Sequence, residues 1–279
     1  MTGSGTLADP YIIYDVTDLQ NVELDTTAYY ELANDIDASA TIGWNGGAGF
    51  LPLGQLTNEF TGQLDGKGHK ITSLFVNRPA AGVGLFAYNE GTVQNLGLED
   101  CDITGASAGG LAYENVGTIT RCYATGTVDG GTHGAGLVQR NTGTITHSYS
   151  RCSADGTFSG GFVQWNEDTI DGCYSTGAVT GTLKGGFCQF NEGTITNCFW
   201  DMETSGLGTS DGGTGKTTAE MKTETTFTDA GWDFDTIWNI CAGVNGDYPC
   251  LVGVTPGCIY APVVPFIINK AYALAREEL

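Results

Sequence analysis

The segment GLFAYNEGTV (84–93) decides the fold, because near copies of it recur at an almost constant interval. The later copies start at residues 110, 136, 161 and 186 and read GLAYENVGTI, GLVQRNTGTI, GFVQWNEDTI and GFCQFNEGTI. Successive starting points are 26, 26, 25 and 25 residues apart. Segments that agree in residue type as well as in spacing indicate a repeat protein in which each copy forms one structural unit.

Each copy has the features of one turn of a β-solenoid. A Thr-Val or Thr-Ile pair closes every copy, and such β-branched pairs favour a strand with one side chain inward and one outward. A period near 25 residues exceeds a single hairpin and fits a turn of about three short strands. Glycine precedes the apolar residue in every copy and recurs at 91, 117, 143 and 193, where we expect it to permit positive φ at corners.

Stacked turns place equivalent residues in columns with a spacing of about 4.8 Å. One turn cannot bury its own apolar face, so we expect stacking to create the core. The predicted core stack is Leu85, Leu111, Leu137, Phe162 and Phe187. The predicted structural ladder, in which each side-chain amide bonds to the next turn, is Asn89, Asn115, Asn141, Asn166 and Asn191. A residue that every turn repeats serves structure, whereas a catalytic site needs its residue once.

The nine cysteines do not form CxxC pairs, which argues against a zinc site. Cys122, Cys173 and Cys198 share a column with Ser148 and are predicted to be buried free thiols. A disulfide between Cys173 and Cys198, in adjacent turns, is the alternative and would require an oxidising compartment.

Composition argues against several classes of function. Glycine supplies 43 of the 279 residues, which favours short strands and tight turns. The formal net charge of −21 opposes nucleic-acid binding. No stretch of about 20 apolar residues is present, so no membrane span is predicted. The N-terminus shows no secretory signal, so we expect either a signal that has been removed or release by another route, such as lysis that frees a virus particle.

The segments GLFAYNEGTVQNL (84–96) and GGFCQFNEGTITNC (185–198) resemble GLUG-motif repeats, the glycine-rich units of bacterial surface proteins, adhesins and some phage fibre proteins. GSGTLADPYII (3–13), FTGQLDGKGHKITSL (60–74) and FWDMETSG (199–206) are similar to the segments that flank such repeats. The resemblance covers roughly residues 3 to 250. It implies a right-handed parallel β-helix at a cell or virion surface, and it supplies no catalytic motif.

The sequence therefore predicts an all-β protein, a right-handed parallel β-helix of about seven turns with a short N-terminal capping helix and a C-terminal helix. The predicted domains are an N-terminal cap over residues 1–28, a solenoid over 29–202 that is regular from 84 to 202, and an irregular C-terminal cap over 203–258. The N-terminal helix is expected to start with a capping box at Thr17–Gln20.

Aromatic residues of the C-terminal cap allow two interpretations. They either cover the last turn or form a glycan-binding platform; they are Trp232, Phe234, Trp238 and Tyr248. Residues 259–279 are predicted to form a helix, which at this length needs a surface to dock on. That surface is its own solenoid, or sister chains of a homo-oligomer or a larger particle. The apolar docking residues are Ile267, Ile268, Ala271, Leu274 and Leu279.

The segment SDGGTGKTT (210–218) is similar to a phosphate-binding loop, but Ser210 stands where that pattern needs glycine. No nucleotide binding is predicted. Paired carboxylates would suit a polysaccharide lyase or hydrolase, but the candidates form no recognisable constellation: Asp35, Asp37, Asp65, Glu90, Asp100 and Asp102. No catalytic residue and no cofactor is therefore predicted. The segment NDIDAS (34–39) offers hard oxygen ligands that are compatible with Ca²⁺.

These features predict a non-enzymatic structural or adhesive surface module. The favoured form is a phage virion appendage, a fibre or spike, that presents loops to a host surface glycan. The expected location is the virion surface, or the extracellular or cell surface. The alternatives are a secreted bacterial cell-surface adhesin domain and a β-helix polysaccharide lyase or hydrolase.

Overall fold

The structure, a computed structural model, describes residues 1–260. It is an all-β parallel β-solenoid of about five turns with a few short helices, so the predicted fold class is confirmed. The predicted count of about seven turns is wrong. The predicted C-terminal helix, with all five of its docking residues, lies outside the described residues apart from Ile259 and Tyr260, which are not helical.

Across the described residues, three parallel sheets run along the solenoid, and each is named here after a residue that it repeats. The threonine sheet contains the Thr-Val and Thr-Ile pairs, with Ile119 in register between Val93 and Ile145. Its strands are Tyr11–Ile13, Tyr29–Leu32, Gln63–Asp65, Thr92–Gln94, Thr118–Thr120, Thr144–Thr146, Thr169–Asp171 and Thr194–Thr196.

The asparagine sheet contains the predicted ladder, with Asn115 in register between Asn89 and Asn141. Its strands are Phe86–Asn89, Ala112–Asn115, Val138–Asn141, Val163–Asn166 and Cys188–Asn191. The tyrosine sheet forms the remaining face and aligns Tyr123, Tyr149 and Tyr174. Its strands are Ile36–Asp37, Lys70–Thr72, Phe75–Val83, Gly97–Gly109, Tyr123–Asp129, His133–Ala135, Tyr149–Ser150, Ser153–Asp155, Phe158–Gly160, Tyr174–Ser175, Leu183–Gly185, Phe199–Asp201 and Thr214–Lys216.

The asparagine sheet sets the number of complete turns. Its strands begin only at Phe86, although the threonine sheet already begins at Tyr11. Before Phe86 the chain replaces the asparagine-sheet strand with the 3-10 segment Ser39–Gly47 and irregular structure that makes isolated bridges from Leu53 and Phe60. The N-terminal turns therefore lack one face, and counting 25 residues per turn from residue 29 overestimates the number of complete turns.

The core stack lies inside the solenoid. Leu85, Leu111, Leu137, Phe162 and Phe187 are all fully buried. The rings of Phe162 and Phe187 stack with centroids 4.7 Å apart and planes 7° apart, which is the spacing that neighbouring turns impose. Burial of one such side chain contributes about 1.5–3 kcal/mol, so the column is a main source of stability.

The repeated glycines are required by close approach between turns. None of the glycines that begin the copies, nor those at 91, 117, 143 and 193, adopts positive φ. A Cβ on Gly136 would lie 2.1 Å from the carbonyl oxygen of Gly161, and one on Gly117 would lie 2.0 Å from that of Gly91. The expectation of left-handed corners at these glycines is wrong. Positive φ occurs instead in the column Asn95, Arg121, His147, Gly172 and Asn197.

The N-terminal helix spans Val16–Gln20 and continues as the 3-10 segment Asn21–Leu24. Its N-cap is Asp15, whose carboxylate accepts from the backbone N–H groups of Thr17 and Asp18, so the expected capping box at Thr17 does not form. Leu19, on this helix, is fully buried. Gln20 exchanges two hydrogen bonds of 2.9 Å with the backbone of Leu51 and thereby ties the helix to the incomplete turns.

The segment 210–218 extends the solenoid. Thr214–Lys216 pairs in parallel with Phe199–Asp201, and Ser210 Oγ accepts from the backbone N–H of Cys188 at 2.8 Å. The glycine-rich run thus forms an ordered strand and the segment that leads into it. The helices Met202–Ser205, Thr218–Met221 and Glu224–Thr228, the 3-10 segment Asn245–Asp247 and the antiparallel pair Trp238–Asn239 with Cys250–Leu251 form the rest of this region.

The C-terminal region packs along the side of the tyrosine sheet. Tyr123, Tyr149 and Tyr174 stack at 4.8 and 5.0 Å on the outer face of that sheet. The ring of Trp238 lies 6.0 Å from Tyr174 and is fully buried. Trp232 and Tyr248 are also buried, so these side chains provide no exposed platform for a glycan. The chain reaches back over several turns, where Arg121 Nη2 donates to the Val252 carbonyl at 2.7 Å.

Candidate functional site

The asparagine ladder runs through the interior of the asparagine sheet. Each Nδ2 donates to the Oδ1 of the next asparagine, at 2.7 Å for the first pair and 2.8 Å for the other three. Asn89, Asn115, Asn141 and Asn166 are fully buried. The ladder begins at Asn89 because Phe60 occupies the equivalent position one turn earlier. It holds turns in register and offers no surface to a ligand.

A second amide ladder lies on the outer side of the same sheet. Gln139 Nε2 donates to Gln164 Oε1, and Gln164 Nε2 donates to Gln189 Oε1, both at 2.6 Å. These glutamines form the floor of a groove with a volume of about 420 Å³, here called the axial groove. Its lining residues are Ser107, Tyr113, His133, Gln139, Arg140, Phe158, Gln164, Trp165, Gln189 and Phe190. Equivalent positions of successive turns line it, so it runs parallel to the solenoid axis.

Aromatic side chains form both walls of the axial groove. His133 and Phe158 stand on the tyrosine-sheet side, stacked at 5.2 Å with planes 14° apart. Trp165 and Phe190 stand on the opposite side, 5.9 Å apart in an edge-to-face arrangement. Phe190 is 43% exposed, so part of its ring is accessible from the groove. The groove thus offers flat apolar faces above a hydrogen-bonding floor.

The charges around the groove compensate one another. Arg140 Nε donates to Glu167 at 2.7 Å, and its Nη1 donates to Glu114 at 3.2 Å. The hydrogen bond with Glu167 raises the pKa of Arg140. The guanidinium lies 4.8 Å from the centroid of the Trp165 ring and holds that ring in place. Burial lowers the pKa of His133, so the groove contains a neutral imidazole at neutral pH.

Three of the six carboxylates weighed as catalytic candidates make local contacts with their own surroundings. Asp65 accepts from the side-chain amides of Gln94 and Asn95, both at 3.0 Å. Asp37 accepts from the Ser39 backbone N–H at 2.9 Å, and Asp35 contacts His69 Nδ1 at 3.2 Å. None of the six lines the axial groove. Binding of Ca²⁺ by residues 34–39 stays a prediction.

The cysteines at equivalent positions of the turns are small side chains that fill the interior of the solenoid. Cys122, Cys173 and Cys198 are buried free thiols in the described structure, with Ser148 in the same column. Burial raises the pKa of Cys122 to about 12, which keeps it protonated. The disulfide present joins Cys250 to Cys258 in the C-terminal region, a pair that the sequence analysis did not anticipate.

The glutamine column is the functional feature that the sequence analysis missed. Its signal is visible in the copies VQRN, VQWN and CQFN, where glutamine precedes a variable residue and the ladder asparagine. The variable position supplies Arg140, Trp165 and Phe190, which together form one wall of the groove. Variation beside a fixed residue could have indicated a surface column, but the opposite wall, with His133 and Phe158, lies on the preceding strand of each turn and belongs to another sheet.

Comparison with known proteins gives partial matches. No protein-family model matches the chain. Halomucin from Haloquadratum walsbyi is 44% identical over 137 residues, which are 46% of this chain and 2% of halomucin. A protein of Evansella cellulosilytica with the provisional name Gly-rich membrane protein is 38% identical over 126 residues, 42% of this chain and 14% of that protein. The chain therefore spans only a small part of the length of these relatives.

A solved structure from Bacteroides ovatus that bears the provisional name immunoglobulin A1 protease is similar in fold. Its TM-score is 0.63 at 18% identity, and the match covers 90% of this chain and 95% of that one. At this identity the likeness shows the fold alone. Over residues 1–260, none of the helices has the length and apolar character that crossing a membrane requires.

Proposed function

We propose that the protein is a non-enzymatic structural module of a cell-surface protein, and that its axial groove binds an extended glycan. The observation that carries the proposal is the glutamine ladder between two aromatic walls. Sugars are recognised through flat apolar ring faces and through hydroxyl groups, and the groove presents aromatic faces and amides together. Because the glutamine floor repeats over three successive turns, the groove suits a ligand that itself repeats, such as a polysaccharide.

The charge distribution favours a neutral glycan. The chain carries a formal net charge of −21, which repels polyanions at long range. Arg140, the cation of the groove lining, is already bound by Glu114 and Glu167, and His133 is neutral at neutral pH. No free cation of the lining is left to bind a carboxylate or a sulfate, so uncharged hydroxyl groups are the better partners for Gln139, Gln164 and Gln189.

The relatives support a cellular surface over a virion. One of them carries the name of a membrane protein, and both are much longer than the matched segment, as expected for a module within a large surface protein. Nothing in the comparisons supports the phage appendage that the sequence analysis favoured. We therefore place the module at the cell surface or outside the cell, as a stiff spacer that also contacts glycans.

The proposal is tested by affinity electrophoresis and calorimetry with neutral polysaccharides, namely dextran, mannan and a β-glucan. Trp165→Ala removes the central aromatic side chain of one groove wall and should weaken binding about tenfold or more, equivalent to ~1.4 kcal/mol. Tyr14→Ala is the matched control, because Tyr14 is an exposed aromatic residue outside the groove lining. Binding of none of these polysaccharides, or equal binding by both variants, would contradict the proposal.

The enzyme alternative is tested in the same incubations. A polysaccharide lyase or hydrolase would release unsaturated products or new reducing ends over time. We expect neither, because none of the carboxylates weighed as catalytic lines the groove, and both glutamates that bind Arg140 are held in ion pairs. Product formation that Trp165→Ala abolishes would replace the non-enzymatic proposal with catalysis in the axial groove.

A further inference from the structure

Three cysteines meet in the C-terminal region, away from the axial groove. The Sγ atoms of Cys241, Cys250 and Cys258 all lie within 4.8 Å of one another. Over residues 1–260, no other group of three potential histidine, cysteine or carboxylate ligands converges in this way. Cys250 and Cys258 are joined by the disulfide and buried, whereas Cys241 is a free thiol that is partly open to solvent.

Backbone hydrogen bonds hold the three cysteines together independently of the disulfide. Cys250 lies in the strand Cys250–Leu251, which pairs with Trp238–Asn239, and Cys241 follows that partner strand by two residues. The backbone N–H of Cys258 donates to the Thr255 carbonyl at 2.9 Å, and the Gly253 N–H donates to the Cys258 carbonyl at 3.1 Å. Reduction of the disulfide should therefore leave the three thiols close to one another.

We propose that the reduced form of this cluster is a zinc site with Cys241, Cys250 and Cys258 as its three thiolate ligands. A Zn–S distance of about 2.3 Å in tetrahedral geometry places two sulfurs roughly 3.8 Å apart. After reduction the Cys250 and Cys258 sulfurs, bonded in the disulfide, must separate to that distance, and Cys241 Sγ already lies within 4.8 Å of both, so side-chain rotations suffice for the required shifts. The fourth position is open to water through the partly exposed side of Cys241.

The zinc-bound state forms from the disulfide state in two steps. A thiol reductant transfers two electrons to the Cys250–Cys258 disulfide, which gives two protein thiols and an oxidised reductant disulfide. One Zn²⁺ then replaces the protons of three thiols, and three protons leave to the buffer. Thiolate ligands select soft or borderline ions such as Zn²⁺ over Ca²⁺ and Mg²⁺, which prefer oxygen. The cluster thus has two exclusive states, a disulfide with one free thiol or three thiolates around a metal ion.

The test uses the full chain, reduced with a phosphine, desalted without oxygen and titrated with Co²⁺ as the spectroscopic probe for Zn²⁺. We expect one Co²⁺ per chain, with sulfur-to-metal charge-transfer bands that Zn²⁺ displaces and Ca²⁺ does not. The oxidised chain should not give these bands. Cys241→Ser should lower affinity by more than the ~10–100-fold that loss of an outer-shell partner costs. Cys241→His keeps a ligand and should retain one Co²⁺ with weaker charge-transfer bands.

Cys122→Ser is the matched control, because its column already contains Ser148 and serine therefore fits. It should bind Co²⁺ as the unsubstituted chain does, and circular dichroism should show the same fold for all variants. Unchanged Co²⁺ bands in Cys241→Ser would assign the metal to other thiols and overturn the proposal. Absence of one-to-one binding by the reduced, folded chain would also overturn it.

Discussion

The side-chain amide of Asn115 donates a 2.8 Å hydrogen bond to Oδ1 of Asn141, and both side chains are fully buried. Each of the two amides belongs to a different turn, so the bond joins turns through their interior. A buried amide without a partner costs about 1–3 kcal/mol, and this cost penalises any shift in the register of adjacent turns. The ladder thus contributes to the specificity of stacking as well as to its strength.

Asn141→Ala should destabilise the protein by about 2–4 kcal/mol, because it leaves the donor of Asn115 and the acceptor of Asn166 without their ladder partners. Asn191→Ala is the control, since Asn191 ends the ladder and is only partly buried. It should cost about 1 kcal/mol, because it removes one ladder bond instead of two and the Asn166 amide keeps the Asp168 carbonyl as an acceptor. Urea denaturation measures both values, and equal losses for the two variants would contradict the internal-ladder argument.

Gly136→Ala should destabilise the protein by about 3 kcal/mol. The added Cβ would lie 2.1 Å from the carbonyl oxygen of Gly161 and 2.3 Å from Ser150 Oγ, and the first of these is backbone that cannot rotate away. Gly208→Ala adds the same methyl group where nothing lies within 4 Å, so it should change stability by less than about 0.5 kcal/mol. Thermal unfolding compares them, and a Gly136→Ala melting temperature equal to that of Gly208→Ala would refute the steric explanation.

These two columns show what the sequence could predict. An asparagine or a glycine that recurs every 25 or 26 residues identifies a column, because periodicity alone fixes which residues stack. It does not identify the contact that makes the residue necessary. Gly136 was expected to need positive φ, whereas its constraint is the backbone of the next turn. Arg121 adopts the left-handed conformation, with φ of 53°, without any signal in its residue type.

The axial groove and the C-terminal packing were less predictable for a related reason. The two walls of the groove lie on different sheets: His133 belongs to the tyrosine sheet and Trp165 to the asparagine sheet, and a repeat pattern does not show how two sheets meet. Likewise, Trp238 was expected to cover the last turn at the end of the solenoid. It lies instead against Tyr174, on the lateral face of the solenoid. The stacked tyrosines form an apolar outer face, so the most favourable place for a tryptophan-rich segment is that face.

Trp238→Ala should destabilise the protein by about 3–5 kcal/mol, because the indole is fully buried between Tyr174, Tyr149 and Trp232. Hydrogen exchange should show faster exchange over residues 217–258 than in the asparagine sheet. Trp238→Phe should cost much less, since the indole N–H is buried and lacks a hydrogen-bond partner in the described structure. Uniform acceleration of exchange throughout the solenoid would contradict a separate lateral cap.

His147→Asn should make stability less dependent on pH in mildly acidic solution. Burial lowers the pKa of His147 below its usual value near 6.5, with Arg121 acting in the same direction and the acidic neighbours Asp171 and Asp233 opposing it. The folded state therefore favours the neutral imidazole. Its contribution to stability is fully present above pH 6.5 and is lost as the pH falls through the depressed value, because the unfolded chain binds the proton more readily.

Asparagine is the suitable replacement, because residue 147 has φ of 46° and the same column contains Asn95 and Asn197 in that conformation. The variant should match or slightly exceed the native chain in stability at pH 8 and should lose less stability between pH 7 and pH 5. Since all other titratable groups are common to both chains, the difference between the two urea-denaturation series isolates residue 147. Parallel pH curves for the two chains would show that His147 is not the group responsible.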